Sequence, residues 1–342
     1  MTAIDRLLAA PDPYGAITAA DDDRFAAAMA EADAWHRAHN PRYARLWDGA
    51  ERPVIPVALF KQVDLATPVD GEGAWLASSG TTSGAGTRVF FDRVSLDRIR
   101  RAMVQVFLAH RFIDIQPARF LLLSPDPTRG SHPGYATTFD KFTGCAPVAD
   151  KVFAVDPHGE LDAGLALATL RRWAASPAPI FLFGLTVYFE RLSLAAEPIE
   201  LAAGIRGLTG GGWKGLVKQL GRDEAVTRLR AALRAPAVDL RDLFGLTEHP
   251  VHYISCAHGR FHVPKLARFA IVGPAGERLP AGEPGLIRLI SPLFASLPSH
   301  DLLTEDRGAW GEGCACGSPL PYFGFLGRVT PPAGTCAAEA VG

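Results

Sequence analysis

No apolar run in this chain approaches the ~20 residues that a bilayer-spanning helix needs, and the longest apolar stretches, such as Ile180-Phe181-Leu182-Phe183, have the length of buried strands. The opening Met1-Thr2-Ala3-Ile4-Asp5-Arg6 lacks a basic stretch followed by an apolar core, so no secretory leader is expected. Neither sign of charge dominates. A net charge of −1 removes the electrostatic case for binding nucleic acid or an anionic membrane. Cysteine is scarce, at five residues. Without a leader, five thiols point to a cytoplasmic setting and to reduced, metal-ligating or catalytic cysteines rather than disulfides. There is no internal repeat. The glycine-rich segments are not followed by Gly-Lys-Ser/Thr, which excludes the kinase-type P-loop.

What the chain does have is a run of Ser, Thr and Gly. In Ser78-Ser79-Gly80-Thr81-Thr82-Ser83-Gly84-Ala85-Gly86-Thr87, nine of ten residues are of these types. Hydroxyls and closely approaching backbone N–H groups suit a polyphosphate. A flexible linker has a similar composition, but linkers rarely join two hydrophobic segments inside a compact domain.

The hydrophobic residues, 48% of 342, suffice for two or three packed layers. Residues 1–50 read as helical, with Asp21-Asp22-Asp23 at a helix N-terminus and Phe25, Met29, Ala32 and Trp35 at helical spacing. Residues 51–255 read as an α/β core. Within it, 95–110, 161–173 and 223–233 have helical patterns, while 119–124, 180–184 and 205–209 read as strands. Strands separated by helices imply a mostly parallel sheet with helical cover. Residues 256–330 change character to strand-like runs joined by Gly/Pro-rich turns, and 331–342 read as a tail without apolar periodicity.

Four further motifs follow the Ser/Thr/Gly run in order. They are Thr209-Gly210-Gly211-Gly212-Trp213-Lys214-Gly215, Leu243-Phe244-Gly245-Leu246-Thr247-Glu248, Asp301-Leu302-Leu303-Thr304-Glu305-Asp306 and Gly324-Phe325-Leu326-Gly327-Arg328. Together with Ile55-Pro56-Val57-Ala58-Leu59-Phe60-Lys61, this ordered set resembles the adenylate-forming superfamily of acyl- and aryl-CoA ligases. Within it the set is most similar to the LuxE-type acyl-protein synthetases.

The resemblance implies an α/β fold, the large N-terminal domain of such enzymes with a small β-barrel-like subdomain. It also implies ATP, Mg²⁺ and a carboxylic acid as reactants, with an acyl-adenylate passed to a thiol. On the same footing, Ser78, Ser79, Gly80, Thr81, Thr82, Ser83, Gly84 and Gly86 would hold the β- and γ-phosphates. Gly210, Gly211 and Gly212 would lie against adenine, and Gly245 and Thr247 belong to the motif whose Glu248 binds magnesium. Asp306 would take the ribose hydroxyls, and Arg328 the ribose or phosphate. The mobile C-terminal domain of longer members, with its lysine, is expected to be absent, since 14 residues follow Arg328 in this sequence. Lys214 is the candidate substitute. Cys336 matches the cysteine near the C-terminus that accepts the acyl group in LuxE-type ligases, and an acyl reductase or thiol carrier is the implied partner. A CoA ligase, or a non-catalytic subunit that scaffolds a reductase, stays open beside this reading.

A second constellation concerns metal. Cys256, His258 and His262 lie within seven positions, and Cys314-Ala315-Cys316 follows about fifty residues on. Thiolates and imidazole are good zinc ligands, and a closed four-ligand set would be structural. The phenylacetate-CoA ligase branch shows a similar pattern. Cys256, His262, Cys314 and Cys316 are the expected ligands, with His258 as a substitute. Buried, merely reduced thiols remain the plain alternative. Cys145 reads as a small buried residue. His249 and His252 could line an acyl pocket, and Phe181, Phe183, Tyr188 and Phe189 either line one or pack a core.

Overall fold

The computed structural model describes residues 1–47, 51–77, 87–129, 134–211 and 218–329. The chain divides into two compact units, Met1–Ala109 with Gly245–Gly342, and His110–Phe244. Among the described residues no helix is long and apolar enough to cross a membrane.

The unit His110–Phe244 is a parallel sheet with helical connections. Its strands lie in the order Val148–Phe153, Ala118–Leu123, Ile180–Leu185, Ile205–Gly210 and Val238–Phe244. Numbered along the chain, this is the order 2-1-3-4-5 of a doubly wound fold. The central strand Ile180–Leu185 is buried at every position, as a strand covered on both faces must be. Phe181 stacks on Phe120 at 5.2 Å, so these phenylalanines belong to the core. Helices Gly134–Phe142, Ala163–Trp173, Thr186–Ala195 and Arg222–Ala232 make the crossovers. Tyr188 and Phe189 are buried on Thr186–Ala195. Gly210 is required by a close approach: a Cβ there would sit 2.7 Å from the Leu243 carbonyl oxygen on the neighbouring strand. The next residue, Gly211, has φ +67°, a left-handed turn that glycine adopts without steric cost. Cys145 is buried, and burial pushes its thiol up to about 12.

The other unit is built on an antiparallel sheet. Its order is Phe261–His262, Tyr322–Arg328, Asp301–Gly311, Gly285–Ile290 and Arg268–Val272. Ile55–Pro56 adds in parallel to Leu302–Leu303, so the β-rich C-terminal part and the chain before residue 110 share one sheet. A hairpin, Gly73–Ala77 with Arg88–Asp92, leads into and out of the Ser/Thr/Gly run. Residues 78–86 of that run lie outside the described residues.

Helix Ala19–His39 starts with a capping box, Thr18 with Asp21, and carries Asp21 and Asp22 in its first turn where the helix dipole favours them. Its buried face runs through Phe25, Met29, Ala32, Asp33 and His36. Trp35 is instead 37% exposed, and its indole N–H donates to the Ala295 carbonyl at 2.8 Å. The helix therefore buries a polar seam at its C-terminal end. The His36 Nδ1 lies 2.7 Å from Thr67 Oγ1, and Nε2 lies 2.9 Å from the Phe294 carbonyl. Asp33 accepts from His300 at 2.7 Å, from Tyr43 at 3.1 Å and from Arg52 at 2.6 Å. A buried carboxylate is tolerated only when donors surround it in this way. Burial acts to raise the Asp33 pKa, but the hydrogen bonds and charges of His300 and Arg52 outweigh it and hold it down to about 2.

Candidate functional site

The sheet of the first unit brings two of the sequence motifs face to face. Asp306 and Arg328 are direct cross-strand partners. The guanidinium donates Nε to Oδ1 at 3.0 Å and Nη2 to Oδ2 at 3.4 Å. Asp306 is 3% exposed, whereas the Arg328 side chain is 43% exposed. The pair thus has a buried anchor and an accessible cation. Burial alone would lower the Arg328 pKa, but the charges of Asp306, Glu305 and Glu248 raise it. Glu248 therefore shares the field of the same guanidinium. Thr304 fixes the bend before Asp306: its hydroxyl accepts from the Asp306 N–H at 3.1 Å and donates to the Ile287 carbonyl at 2.8 Å.

Glu248 is buried, and Thr247 beside it is half-buried. Among the described residues no hydrogen-bond donor is paired with the Glu248 carboxylate. Hard oxygen donors of this kind, one or two per site, suit Mg²⁺ shared with phosphates. His249 is fully buried, bonded through Nε2 to Tyr253 at 2.9 Å, and burial holds its pKa down to about 4. His252 is half-buried.

The second constellation also converges. Ligand atoms of Cys256, His262, Cys314 and Cys316 all lie within 4.8 Å of one another. Two tight turns present the three thiols, and the strand Phe261–His262 presents the imidazole. The first closes from the Gly259 N–H to the Cys256 carbonyl, the second from the Gly317 N–H to the Cys314 carbonyl. The Cys256 and Cys314 sulfurs are 3.8 Å apart, and Cys316 Sγ is 3.2 Å from His262 Nε2. Tetrahedral zinc with Zn–S of ~2.3 Å places two sulfurs roughly 3.8 Å apart, so the donor set fits that ion. His262 Nδ1 lies 3.0 Å from the Leu320 carbonyl, which makes Nδ1 the N–H donor and leaves the Nε2 lone pair directed at the thiols. Burial lowers the His262 pKa and keeps the ring neutral. Partial burial opposes ionisation of Cys314, but hydrogen bonds from Cys316 and Cys256 and the Arg260 charge prevail and lower its pKa. His258 is exposed on the intervening turn and is not one of the four.

In the other unit, Gly210 ends the strand Ile205–Gly210 and Gly211 follows it with a positive φ. Gly212, Lys214 and Cys336 lie outside the described residues, as do Ser78, Ser79, Gly80, Thr81, Thr82, Ser83, Gly84 and Gly86. Motif reading included Thr304 without a role for it, although a Thr two residues before an Asp is a recurrent local cap for its N–H. It missed Arg260 beside Cys314, which no spacing rule marks.

No curated protein matches the sequence. A solved structure of 2-hydroxyisobutyryl-CoA ligase, in an open conformation with 2-HIB-AMP and CoA, is 15% identical with a TM-score of 0.67, over 93% of this chain and 73% of that one. The anthranilate CoA ligase AuaEII, in complex with anthranoyl-AMP, is 16% identical with a TM-score of 0.51, over 78% of this chain and 49% of that one. At such identities the likeness is one of fold, that of the large domain of adenylate-forming enzymes. The family model described as acyl-protein synthetase, LuxE, matches residues 45–341. This chain belongs to the LuxE family of acyl-protein synthetases.

Proposed function

We propose that the protein activates a carboxylic acid with ATP and passes the acyl group to a thiol. The observation that carries this reading is the pairing of buried Asp306 with half-exposed Arg328 in the field of Glu248. A buried carboxylate with its second lone pairs free accepts ribose hydroxyls, and the guanidinium beside it binds phosphate. In the first step a substrate carboxylate oxygen attacks the α-phosphorus of ATP, the bond to the bridging oxygen breaks, and pyrophosphate leaves. In the second a thiolate attacks the acyl carbon, and AMP leaves with the bonding pair. Arg328 holds the nucleotide and Asp306 orients it, which turns a bimolecular attack into an oriented one. Mg²⁺ held by Glu248 would neutralise charge on the departing pyrophosphate.

The Ser/Thr/Gly run is assigned to the β- and γ-phosphates, and Gly210, Gly211 and Gly212 to adenine. Lys214 is assigned the charge-stabilising role of a lysine on the reacting phosphate. Cys336 is the proposed acceptor thiol, reactive as its thiolate, with an acyl reductase or carrier as the eventual partner and a fatty acid as the substrate class. The Cys256, His262, Cys314 and Cys316 cluster is assigned a structural zinc, which would pin two turns and do no chemistry. A cytoplasmic setting keeps such thiols reduced.

The test is ATP–pyrophosphate exchange with purified protein, Mg²⁺ and a panel of carboxylic acids. Exchange with one acid class supports the reading and names the substrate. Absence of exchange with every acid overturns it in favour of a scaffold. Labelled acyl chain on the protein that disappears in Cys336→Ala assigns the acceptor, whereas label on free CoA assigns a CoA ligase.

A further inference from the structure

The unit His110–Phe244 buries one carboxylate that no motif explains. Glu190 is 1% exposed, on a helix whose neighbours Val187, Tyr188, Phe189 and Leu192 are buried and apolar. Burying a charge is costly unless it collects donors. Glu190 collects two, both on one oxygen: Oε1 accepts the N–H of Gln219 at 2.9 Å and the N–H of Leu220. Its other oxygen, Oε2, is buried without a hydrogen-bond partner among the described residues. Gln219 and Leu220 are the stem by which the chain leaves the glycine-rich segment.

The incoming stem is held by the same helix. The Thr209 hydroxyl donates to Thr186 Oγ1 at 3.0 Å, and the Thr186 hydroxyl donates to the Gly210 carbonyl at 3.4 Å. Thr186 and Glu190 are four residues apart, one turn along a single helical face. One turn of one helix therefore grips both stems, with a neutral relay on the incoming side and charge-assisted bonds on the outgoing side. Charge-assisted bonds are about twice as strong as neutral ones. This explains a carboxylate at a position where an apolar residue would pack more simply.

We propose that helix Thr186–Ala195 braces the glycine-rich segment at both stems, and that Glu190 is a positioning residue for nucleotide binding. The nucleotide part rests on the assignment of Gly210 and Gly211 to adenine. The brace itself does not.

Two readouts separate the parts. Amide hydrogen exchange reads the brace directly. In Glu190→Ala the Gln219 and Leu220 amides exchange at least about tenfold faster, since each loses a charge-assisted bond. In Glu190→Gln one carbonyl oxygen with two lone pairs still accepts both, without the charge assistance, and exchange falls between wild type and Glu190→Ala. In the pyrophosphate-exchange assay, Glu190→Ala raises the apparent KM for ATP about tenfold with kcat little changed, the signature of lost uniform binding. Glu190→Gln, which keeps both bonds in neutral form, shows a smaller rise. Should Glu190→Ala fail to fold, Thr186→Val cuts the incoming grip, and it too raises KM for ATP. Unchanged amide exchange in Glu190→Ala overturns the brace. Faster amide exchange with an unchanged KM for ATP overturns the positioning role, and so does an equal KM change in Glu190→Gln and Glu190→Ala. Should the wild type show no acid-dependent exchange, the functional reading fails, and ATP binding by calorimetry in the same variants decides the positioning role.

Discussion

Replacing His36 by Gln should flatten the acid sensitivity of this protein. The imidazole is fully buried, stacked on His300 with ring centroids 5.2 Å apart. Its Nε2 faces a carbonyl and must donate, so Nδ1 accepts from the Thr67 hydroxyl. Thr67 Oγ1 in turn accepts from Asn40 at 3.1 Å. A proton on Nδ1 would set donor against donor. Burial first, and then the charge of His300, lower the His36 pKa from 6.5 to about 3. A depressed histidine pKa means that the unfolded chain binds more protons between pH 6.5 and 3, so stability is lost as pH falls through that window. From pH 8 to pH 5 the loss from this one group is about 2 kcal/mol, set almost wholly by the unfolded pKa because the folded ring stays neutral throughout. Asp33, held down to about 2, is silent above pH 5. His249, held down to about 4, adds a similar loss that is common to both proteins and cancels in the comparison. Gln can donate to Phe294 and accept from Thr67 but cannot titrate. Urea unfolding followed by tryptophan fluorescence at pH 8, 6.5 and 5 should give a wild-type decline steeper than that of His36→Gln by about 2 kcal/mol over the range. Parallel declines would refute the assignment of a neutral buried ring.

Three further outcomes are expected. Asp306→Asn should lower the exchange rate at limiting ATP by more than tenfold, roughly 1.4 kcal/mol of binding. It should cost only about 1 kcal/mol of stability, because the half-exposed Arg328 regains water; steady-state exchange and urea midpoints check both. Protein purified without chelator should carry about one zinc per chain. Cys314→Ser should lose most of that metal and melt at lower temperature, measured by elemental analysis and thermal unfolding. Gly210→Ala should destabilise the unit His110–Phe244 by about 1–3 kcal/mol, since its Cβ meets strand backbone that cannot rotate away; a Tm unchanged within a degree would contradict the close approach.

Much of the architecture is legible in the residue pattern, and the exceptions have physical causes. The strands 118–123, 180–185 and 205–210 announce themselves as short apolar runs, and helices 163–173 and 222–232 as periodic ones. Helix Thr186–Ala195 does not, because seven of its ten residues are buried and no polar face marks its period. In helix Arg93–Ala109 the buried face centres on Ser95, Arg98 and Ala102, while Leu96, Ile99 and Met103 are half-buried. Arg98 goes inward because Asp5 of the first helix meets it at 3.9 Å, a contact invisible to local periodicity. The resemblance of their motifs nominated Asp306 and Arg328, but not their register, which depends on an irregularity between Arg307 and Gly308 in the strand pairing. The Cys/His cluster was legible in its ligand types, whereas the Leu320 carbonyl that orients His262 carries no side-chain signal at all. Glu190 had none either, since a lone Glu is ordinarily a solvated one.

The division of the chain has a consequence for its synthesis. The unit His110–Phe244 is continuous and can close as soon as it clears the ribosome. Ile55 cannot. Its partner is Leu302, and at roughly 5–20 residues per second the ribosome takes on the order of 10–50 s to reach it. Through that interval a nascent strand edge, with the apolar cluster of Tyr43, Ile55 and Leu65 behind it, waits without the sheet that will cover it. It is the stretch of this polypeptide with most reason to meet a chaperone before it meets its own C-terminal half.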